Sequence, residues 1–429
     1  MAIPIHYISF PSEKITGVFY PPGDKSITHR AILLGSIAEK ESLFIHPLLS
    51  QDTWATFSAM RAMGVSIEQT PQHNLHIKGV GLYGLKAPKD PIDCGNSGTT
   101  MRLLAGLLAA QSFFSSLTGD ESLRKRPMQR VMTPLQAMGA DITGYPPLDI
   151  RPVKELKGIR YSLPIASAQV KSAILLASLY AKGKTEVREP IPTRDHTERL
   201  LTAGIRQGGE FLIPGDFSSA AFFIVAALIT PRSALCVRNV GLNPFRIGLL
   251  NIIKRMGGNI NVIQNYSTYE PIGDIEVHYT PVLYGTDIHP LEIAGLVDEL
   301  PILSIAAACA KGVTRIRGAQ ELRYKESDRI RGMVQGLQQV GIRVEEFSDG
   351  LMIEGGTFQA GVVNSGGDHR IAMAFAIAGA VAKGSITLQD CANVETSFPN
   401  FKEQANQVGL NIQLLKESIH AKFDTGHHL

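Results

Sequence analysis

Six short stretches open small apolar runs with Ser, Asp, Asn or His, and several carry Lys or Arg close behind. They read Gly23-Asp-Lys-Ser-Ile-Thr-His-Arg30, Gly95-Asn-Ser-Gly-Thr-Thr-Met-Arg102, Ala166-Ser-Ala-Gln-Val-Lys171, Gly215-Asp-Phe-Ser-Ser219, Val297-Asp-Glu299 and Gly366-Gly-Asp-His-Arg370. A helix start carries unpaired N–H groups and about half a positive charge, so it attracts anions. If equivalent helices point the same way, up to six such ends face one interdomain cleft. Lys25, Arg30, Arg102, Lys171 and Arg370 then add full charges. This predicts a small substrate bearing phosphate and carboxylate groups. Each start taken singly reads equally well as a plain N-cap, but a cap needs no Lys or Arg in the first turn.

Other charged stretches carry two readings. Arg323-Tyr-Lys-Glu-Ser-Asp-Arg329 is a charged loop with a cap, or Lys325 and Arg329 hold anions while Glu326 carries a proton. Arg124-Lys-Arg-Pro-Met-Gln-Arg130 is a solvated charge run, or it offers Arg126 as a guanidinium fork. Arg194-Asp-His-Thr-Glu198 reads as a helix start capped by Asp195 or Thr197. Gly79-Val-Gly-Leu-Tyr-Gly84 has dinucleotide-site spacing, but Lys86, Pro88, Lys89 and Pro91 follow instead of a helix. No phosphate-loop lysine motif and no HExxH occur. Cys94 precedes a helix start, where a thiol pKa can fall; a small buried cysteine is the plainer reading.

The elements that must position these residues repeat. Glycines at 64, 139, 204, 257, 341 and 409 each follow an amphipathic helix and precede a β-like run, at gaps of 75, 65, 53, 84 and 68 residues. Glycine suits the left-handed position just past a helix end. A second helix, apolar nearly all round and therefore interior, precedes each one. These interior helices are expected to start at Ser26, Ser97, Ser167, Ser218, Asp298 and His369. Six units of about 70 residues fit two globules of three better than a solenoid. The break is expected near 208–216, with Pro22-Gly-Asp-Lys-Ser26 and Pro214-Gly-Asp-Phe-Ser218 as matching first units. The expected domains are 21–213 and a discontinuous 1–20 plus 214–429, with two crossings between them.

The chain has 429 residues, which allows two or three domains of typical size. Lys plus Arg total 42 and Asp plus Glu 39, too balanced for general nucleic-acid binding. The longest uncharged runs are too short for a membrane span, and no signal peptide is visible. A cytoplasmic location is expected. Four scattered cysteines without CxxC suggest neither disulfides nor a thiolate metal site. The His427-His428 pair reads as a tail.

Nine motifs in order make the chain resemble the 5-enolpyruvylshikimate-3-phosphate synthase family: PGDKSITHR (22–30), GNSGTTMR (95–102), RPM (126–128), SAQVKSA (167–173), RDHTE (194–198), DELP (298–301), RYKESDR (323–329), GGDHRIAM (366–373) and TSFPNF (396–401). The resemblance implies two inverse α/β globules, each of three βαβαββ units, with the active site in the interdomain cleft. It implies transfer of the enolpyruvyl group of phosphoenolpyruvate to the 5-hydroxyl of shikimate 3-phosphate, in chorismate and aromatic amino acid biosynthesis. No metal or organic cofactor is implied, and the expected state is a monomer. Lys25, Ser26, Arg30, Ser167, Ala168, Gln169, Arg194, Asp298 and Lys325 resemble the shikimate 3-phosphate site. Lys25, Asn96, Gly98, Arg126, Gln169, Arg329 and Arg370 resemble the phosphoenolpyruvate clamp. Asp298 resembles the base at the 5-hydroxyl, Glu326 the acid at the methylene carbon, and Lys25 a third catalytic group.

Two positions depart from one branch of the family, Ala168 replacing a second Ser and Thr396 replacing a Lys. The lost phosphate contact would fall to Lys171 or Arg194. Both changes resemble the branch that tolerates the inhibitor glyphosate, whereas Gly98 resembles the sensitive pattern. Two alternatives are weighed. The sister enzyme that uses UDP-N-acetylglucosamine has Lys-Asn where this chain has Lys25-Ser26. A non-catalytic polyanion-binding protein would gain nothing from carboxylates such as Asp298 and Glu326.

Overall fold

The computed structural model describes residues 5–267 and 269–415; His427 and His428 lie outside them. Six interior helices organise it: α1 Lys25–Ser36, α2 Gly98–Leu108, α3 Ala168–Ser178, α4 Phe217–Ile229, α5 Leu300–Ala308 and α6 His369–Gly379. Every residue of α4, α5 and α6 is buried, as expected of helices without a polar face. Their caps differ from the sequence expectation in three places. Asp24, Asp216 and Asp368, not Ser26, Ser218 or His369, accept the first-turn N–H bonds. A carboxylate in that position also complements the helix dipole. Before α5, a 3-10 stretch Pro290–Gly295 intervenes, so Asp298 sits in the turn that leads into the helix.

The six glycines at amphipathic-helix ends all have positive φ, between 77° and 109°. Within a full unit, the strand before the interior helix pairs parallel with the strand after it, and an antiparallel hairpin completes the sheet. Ile92–Asp93, Ser115–Thr118, Leu148–Arg151 and Asp141–Gly144 show that order. Three sheets borrow a strand from elsewhere in the chain. Thr16–Phe19 pairs parallel with Ala234–Gly241, and His6–Phe10 lies between Ile386–Gln389 and Asn411–Leu415. Gly209–Leu212 pairs parallel with Glu41–Ile45. The third unit retains only Arg160–Ser162 and Glu186–Arg188. After Gly204 the chain makes a 3-10 turn, Ile205–Gln207, and gives its next strand to the first sheet. The β-like run read after Gly204 is therefore not a hairpin of its own unit.

Two hydrophobic cores result. One runs from Ile27 to Ile213; the other combines Tyr7, Ile15 and Phe19 with residues from Phe217 to Ile412. Between these two lobes the chain passes at residues 20–24 and again at 213–216. The two passages grip each other: Asp24 N donates to Pro214 O at 2.8 Å and Asp216 N to Pro22 O at 2.7 Å. Both glycines of the paired Pro-Gly-Asp turns are forced by close approach. A β-carbon on Gly23 would lie 2.0 Å from His46 O, and one on Gly215 would lie 2.6 Å from Pro21 Cγ. Gly106 does similar work between helices: a β-carbon there would lie 2.2 Å from Ala173 O. It lets α2 and α3 pack backbone to backbone, with their starts side by side.

Candidate active site

A cavity of about 730 Å³ lies between the lobes. All six interior helix starts contribute to its wall: Lys25 and Ser26 at α1, Asn96 and Gly98 at α2, Ser167 and Ala168 at α3, Asp216 at α4, Asp298 before α5, and His369 and Arg370 at α6. Arg30, Arg126, Gln169, Arg194, Lys325, Glu326 and Arg329 line it as well. Every residue assigned above to the two substrate sites or to proton transfer therefore lines one space. Lys171 does not. Its ammonium is buried against Glu189 and Glu198, each at 2.8 Å, and against Thr193 O at 3.3 Å. It braces the loop before Arg194 and is spent there, so of the two cations expected to replace a serine at 168, only Arg194 reaches the cavity.

Opposite charges face each other across the cavity. Cations lie mostly on the lobe with the Ile27–Ile213 core and carboxylates on the other. Arg194 donates to Asp298; Arg126 lies 3.6 Å from Glu326, and Arg130 lies 3.8 Å from Glu321. Lys25 Nζ donates to Asp52 at 2.9 Å within its own lobe and to Ser397 Oγ at 2.8 Å across the gap. Thr396 turns its hydroxyl onto Asn393 O. Its neighbour Ser397, not Thr396, is the residue that meets Lys25.

Donors are held in fixed directions. Arg102 Nη1 donates to Gln169 Oε1, and Gln169 Nε2 donates to Thr99 Oγ1. Arg126 Nη2 donates to Asn96 Oδ1 at 2.6 Å. Arg30 is bound to Thr197, Ser172 and Ser26 O, so Thr197 orients a cation instead of capping a helix. Burial lowers the pKa of both Arg30 and Arg102 to about 10. At neutral pH both remain charged, and five N–H donors each leave bonds to spare.

The two carboxylates are held in their ionised forms. Burial pushes Asp298 up, but Arg194, Arg370, Lys325 and Arg329 outweigh it and hold the group well below the usual carboxylate range. Glu326 is likewise raised by burial and held well below its ordinary value by Arg329, Arg126, His369 and Lys25. His369 is depressed well below its ordinary value, first by burial and then by Lys25 and Arg370, and stays neutral. Cys94 is buried, and burial raises its thiol pKa, which removes it as a nucleophile.

Asp52, Arg130, Glu321, Arg246, His369 and Ser397 are among the polar groups at or beside the site that sequence reasoning passed over as ligands. His369 and Ser397 lay within quoted motifs, so a signal existed. Asp52 and Arg246 stand in text with no pattern of its own and become visible only through what they touch.

The family model described as EPSP synthase (3-phosphoshikimate 1-carboxyvinyltransferase) matches residues 10–405. The chain belongs to the EPSP synthase family. The curated 3-phosphoshikimate 1-carboxyvinyltransferase of Legionella pneumophila is 51% identical over 431 residues, covering 95% of this chain and 99% of that one. The one from Coxiella burnetii is 51% identical over 429 residues, covering 95% and 98%. Among solved structures, EPSP synthase from Acinetobacter baumannii is similar with a TM-score of 0.86 and 45% identity, covering 96% of this chain and all of that one. The enolpyruvyl transferase NikO from Streptomyces tendae shares the fold with a TM-score of 0.76 at 14% identity. In this EPSP synthase family member no helix of the described residues is long and apolar enough to cross a membrane. Among the described residues no three His, Cys, Asp or Glu side chains are grouped to hold a metal ion.

Proposed function

We infer that this chain transfers the enolpyruvyl group of phosphoenolpyruvate to the 5-hydroxyl of shikimate 3-phosphate, releasing phosphate, as a step of the shikimate pathway. The observation that carries this is an interlobe cavity walled by six helix starts, eight arginines and the ionised carboxylates of Asp298 and Glu326, in a chain of this family. The Lys25-Ser26 pair stands against the UDP-sugar alternative. The direct experiment is phosphate release from phosphoenolpyruvate with shikimate 3-phosphate as acceptor. Release with UDP-N-acetylglucosamine instead would overturn the reading.

The roles proposed for the residues follow from their chemistry. Lys25, Ser26, Arg30, Ser167, Gln169, Arg194 and Lys325 bind shikimate 3-phosphate, with Ala168 contributing backbone alone. Lys25, Asn96, Gly98, Arg126, Gln169, Arg329 and Arg370 bind phosphoenolpyruvate. Asp298 takes the proton of the 5-hydroxyl as its oxygen attacks C2, and Glu326 gives a proton to the methylene carbon. Elimination returns a proton from the new methyl group to Glu326 as the C2–O bond to phosphate breaks, and the departing phosphate takes the proton that Asp298 had received. In the protein alone Glu326 is ionised and cannot be an acid. Substrate anions that neutralise Arg126, Arg329 and Lys25 remove the field that depresses it, so binding prepares the proton donor. The domains are proposed as 21–213 and 1–20 plus 214–429, acting as a cytoplasmic monomer.

Gly98 supplies a prediction. A β-carbon there would lie 2.9 Å from Arg102 Nη1 and 3.2 Å from Arg126 Nη1. Both are ends of flexible side chains, so Gly98→Ala should fold while crowding the anion clamp. Glyphosate is longer than phosphoenolpyruvate and should feel this more. Overpacking by one methyl costs about 1–3 kcal/mol, so glyphosate inhibition should weaken about tenfold or more, with a smaller rise in KM for phosphoenolpyruvate. An unmoved inhibition constant would remove Gly98 as the steric gate.

A further inference from the structure

Arg246 lies in the second lobe, at the end of a turn closed by its own N–H to Asn243 O at 2.9 Å. Its side chain is buried, 4% exposed, against two carboxylates and one hydroxyl. Nη2 donates to Asp216 Oδ1 and to Ser218 Oγ, both at 2.9 Å, and Nε lies 3.4 Å from Asp24 Oδ2. Ser218 in turn donates to Glu299, the neighbour of Asp298. Arg370 closes the ring: Nη1 donates to Asp298 O at 2.7 Å and lies 3.8 Å from Glu299 Oε1.

The position of these partners gives the contacts a purpose. Asp24 caps α1, which presents Lys25, Ser26 and Arg30, and Asp216 caps α4. They belong to the two passages that join the lobes, and each passage also donates a backbone hydrogen bond to the other. One guanidinium therefore ties both passages to the turn that carries Asp298. Nη2 makes both hydrogen bonds and Nε faces Asp24 by charge alone; the planar guanidinium spans partners on two of its sides, which the single nitrogen of an ammonium would have to meet from one point.

We propose that Arg246 is a positioning residue for the base Asp298, fixing the Asp298–Glu299 turn to the interlobe passages and balancing the buried carboxylates behind it. The proposal rests on Asp298 being the base. Groups facing Asp298 are Arg194 from the other lobe, Arg370 from α6, Lys325 and Arg329 from the 325–329 stretch, and Glu299 beside it. Arg246 also lines the cavity, but Asp24 and Asp216 hold its charge, so substrate anions are expected to engage the other lining cations. The Arg246 charge then persists in the complex, where it favours the ionised base.

The test is the pH profile of kcat for R246Q and R246K, with D298N as reference. In R246Q kcat should fall about tenfold or more, the scale expected of a displaced reacting group, with both KM values within about threefold. The acid limb of its profile should move up by about one pH unit, the scale of losing a nearby opposite charge. R246K restores the charge but not the fork, so its limb should return to the wild-type position while kcat stays below wild type. A limb that does not move in R246Q, or a change confined to KM, overturns the proposal. If R246Q does not fold, R246K decides: wild-type kcat in that variant is equally fatal. Near-native kcat in D298N would instead overturn the reading of Asp298 as base, and the inference with it.

Discussion

Asp298→Asn and Glu326→Gln should each lower kcat by about 10² to 10⁴, the usual worth of a general acid or base, while shikimate 3-phosphate still binds within about tenfold. Both substitutions keep size and hydrogen-bonding shape but remove the titrating group. Asp298 meets Arg194 across the cavity and lies 3.6 Å from Arg329 Nη1. Glu326 meets Arg329 at 2.6 Å and Arg126 at 3.6 Å. A neutral amide leaves those arginines in place and even relieves competition for them, so substrate anions should still find their clamp. The loss should thus appear in kcat and spare binding. Glu326→Gln carries a second readout: exchange of solvent deuterium into the methylene group of phosphoenolpyruvate should slow with turnover. Near-native kcat in both variants would sink the assignment. A collapse of binding with kcat intact would recast the pair as structural counterions.

Most of this site was legible because its residues sit at helix starts, and helix starts are written locally. An apolar run without a polar face, preceded by Gly and a short polar residue, specifies both an interior helix and the direction of its free N–H groups. The six positive-φ glycines were legible for the same reason, since a left-handed residue after a helix is a local requirement. Caps moved by a residue or two where Asp and Ser stood close together, as at Asp24 and Ser26, because the two side chains compete for the same N–H groups. What stayed hidden depends on contacts distant in sequence. Arg246 meets Asp24 across 222 positions of chain, by subtraction of their numbers. The two-stranded third sheet was invisible because its missing partner is a strand donated to the first sheet. Lys171 looked like a site cation because nothing local to it foretold that Glu189 and Glu198 would enclose it.

Arg329→Met should destabilise the protein by about 3–5 kcal/mol at pH 7, the scale of leaving buried carboxylates without their partner. The side chain is 2% exposed and touches three of them. Nε donates to Asp368 at 2.8 Å, Nη2 to Glu326 at 2.6 Å, and Nη1 lies 3.6 Å from Asp298. Methionine fills similar volume, so the lost term is charge and not packing. The pH dependence follows from the directions of the shifts. Asp298 and Glu326 have folded pKa values held well below their ordinary ones, and Arg329 contributes to both depressions. Such groups stabilise the fold above their unfolded pKa, near 4, and that stability is lost as pH falls through the depressed folded values. Without Arg329 the folded values rise, so the variant forfeits part of this stability at pH 7. Once the carboxyls are protonated in both proteins, neither draws on it. The gap between wild type and variant, read from urea midpoints, should therefore be widest at pH 7 and should narrow as pH falls below about 4. A gap that stays constant from pH 7 to pH 3 would show that the loss is one of packing, and that the arginine does not hold these carboxylates by its charge.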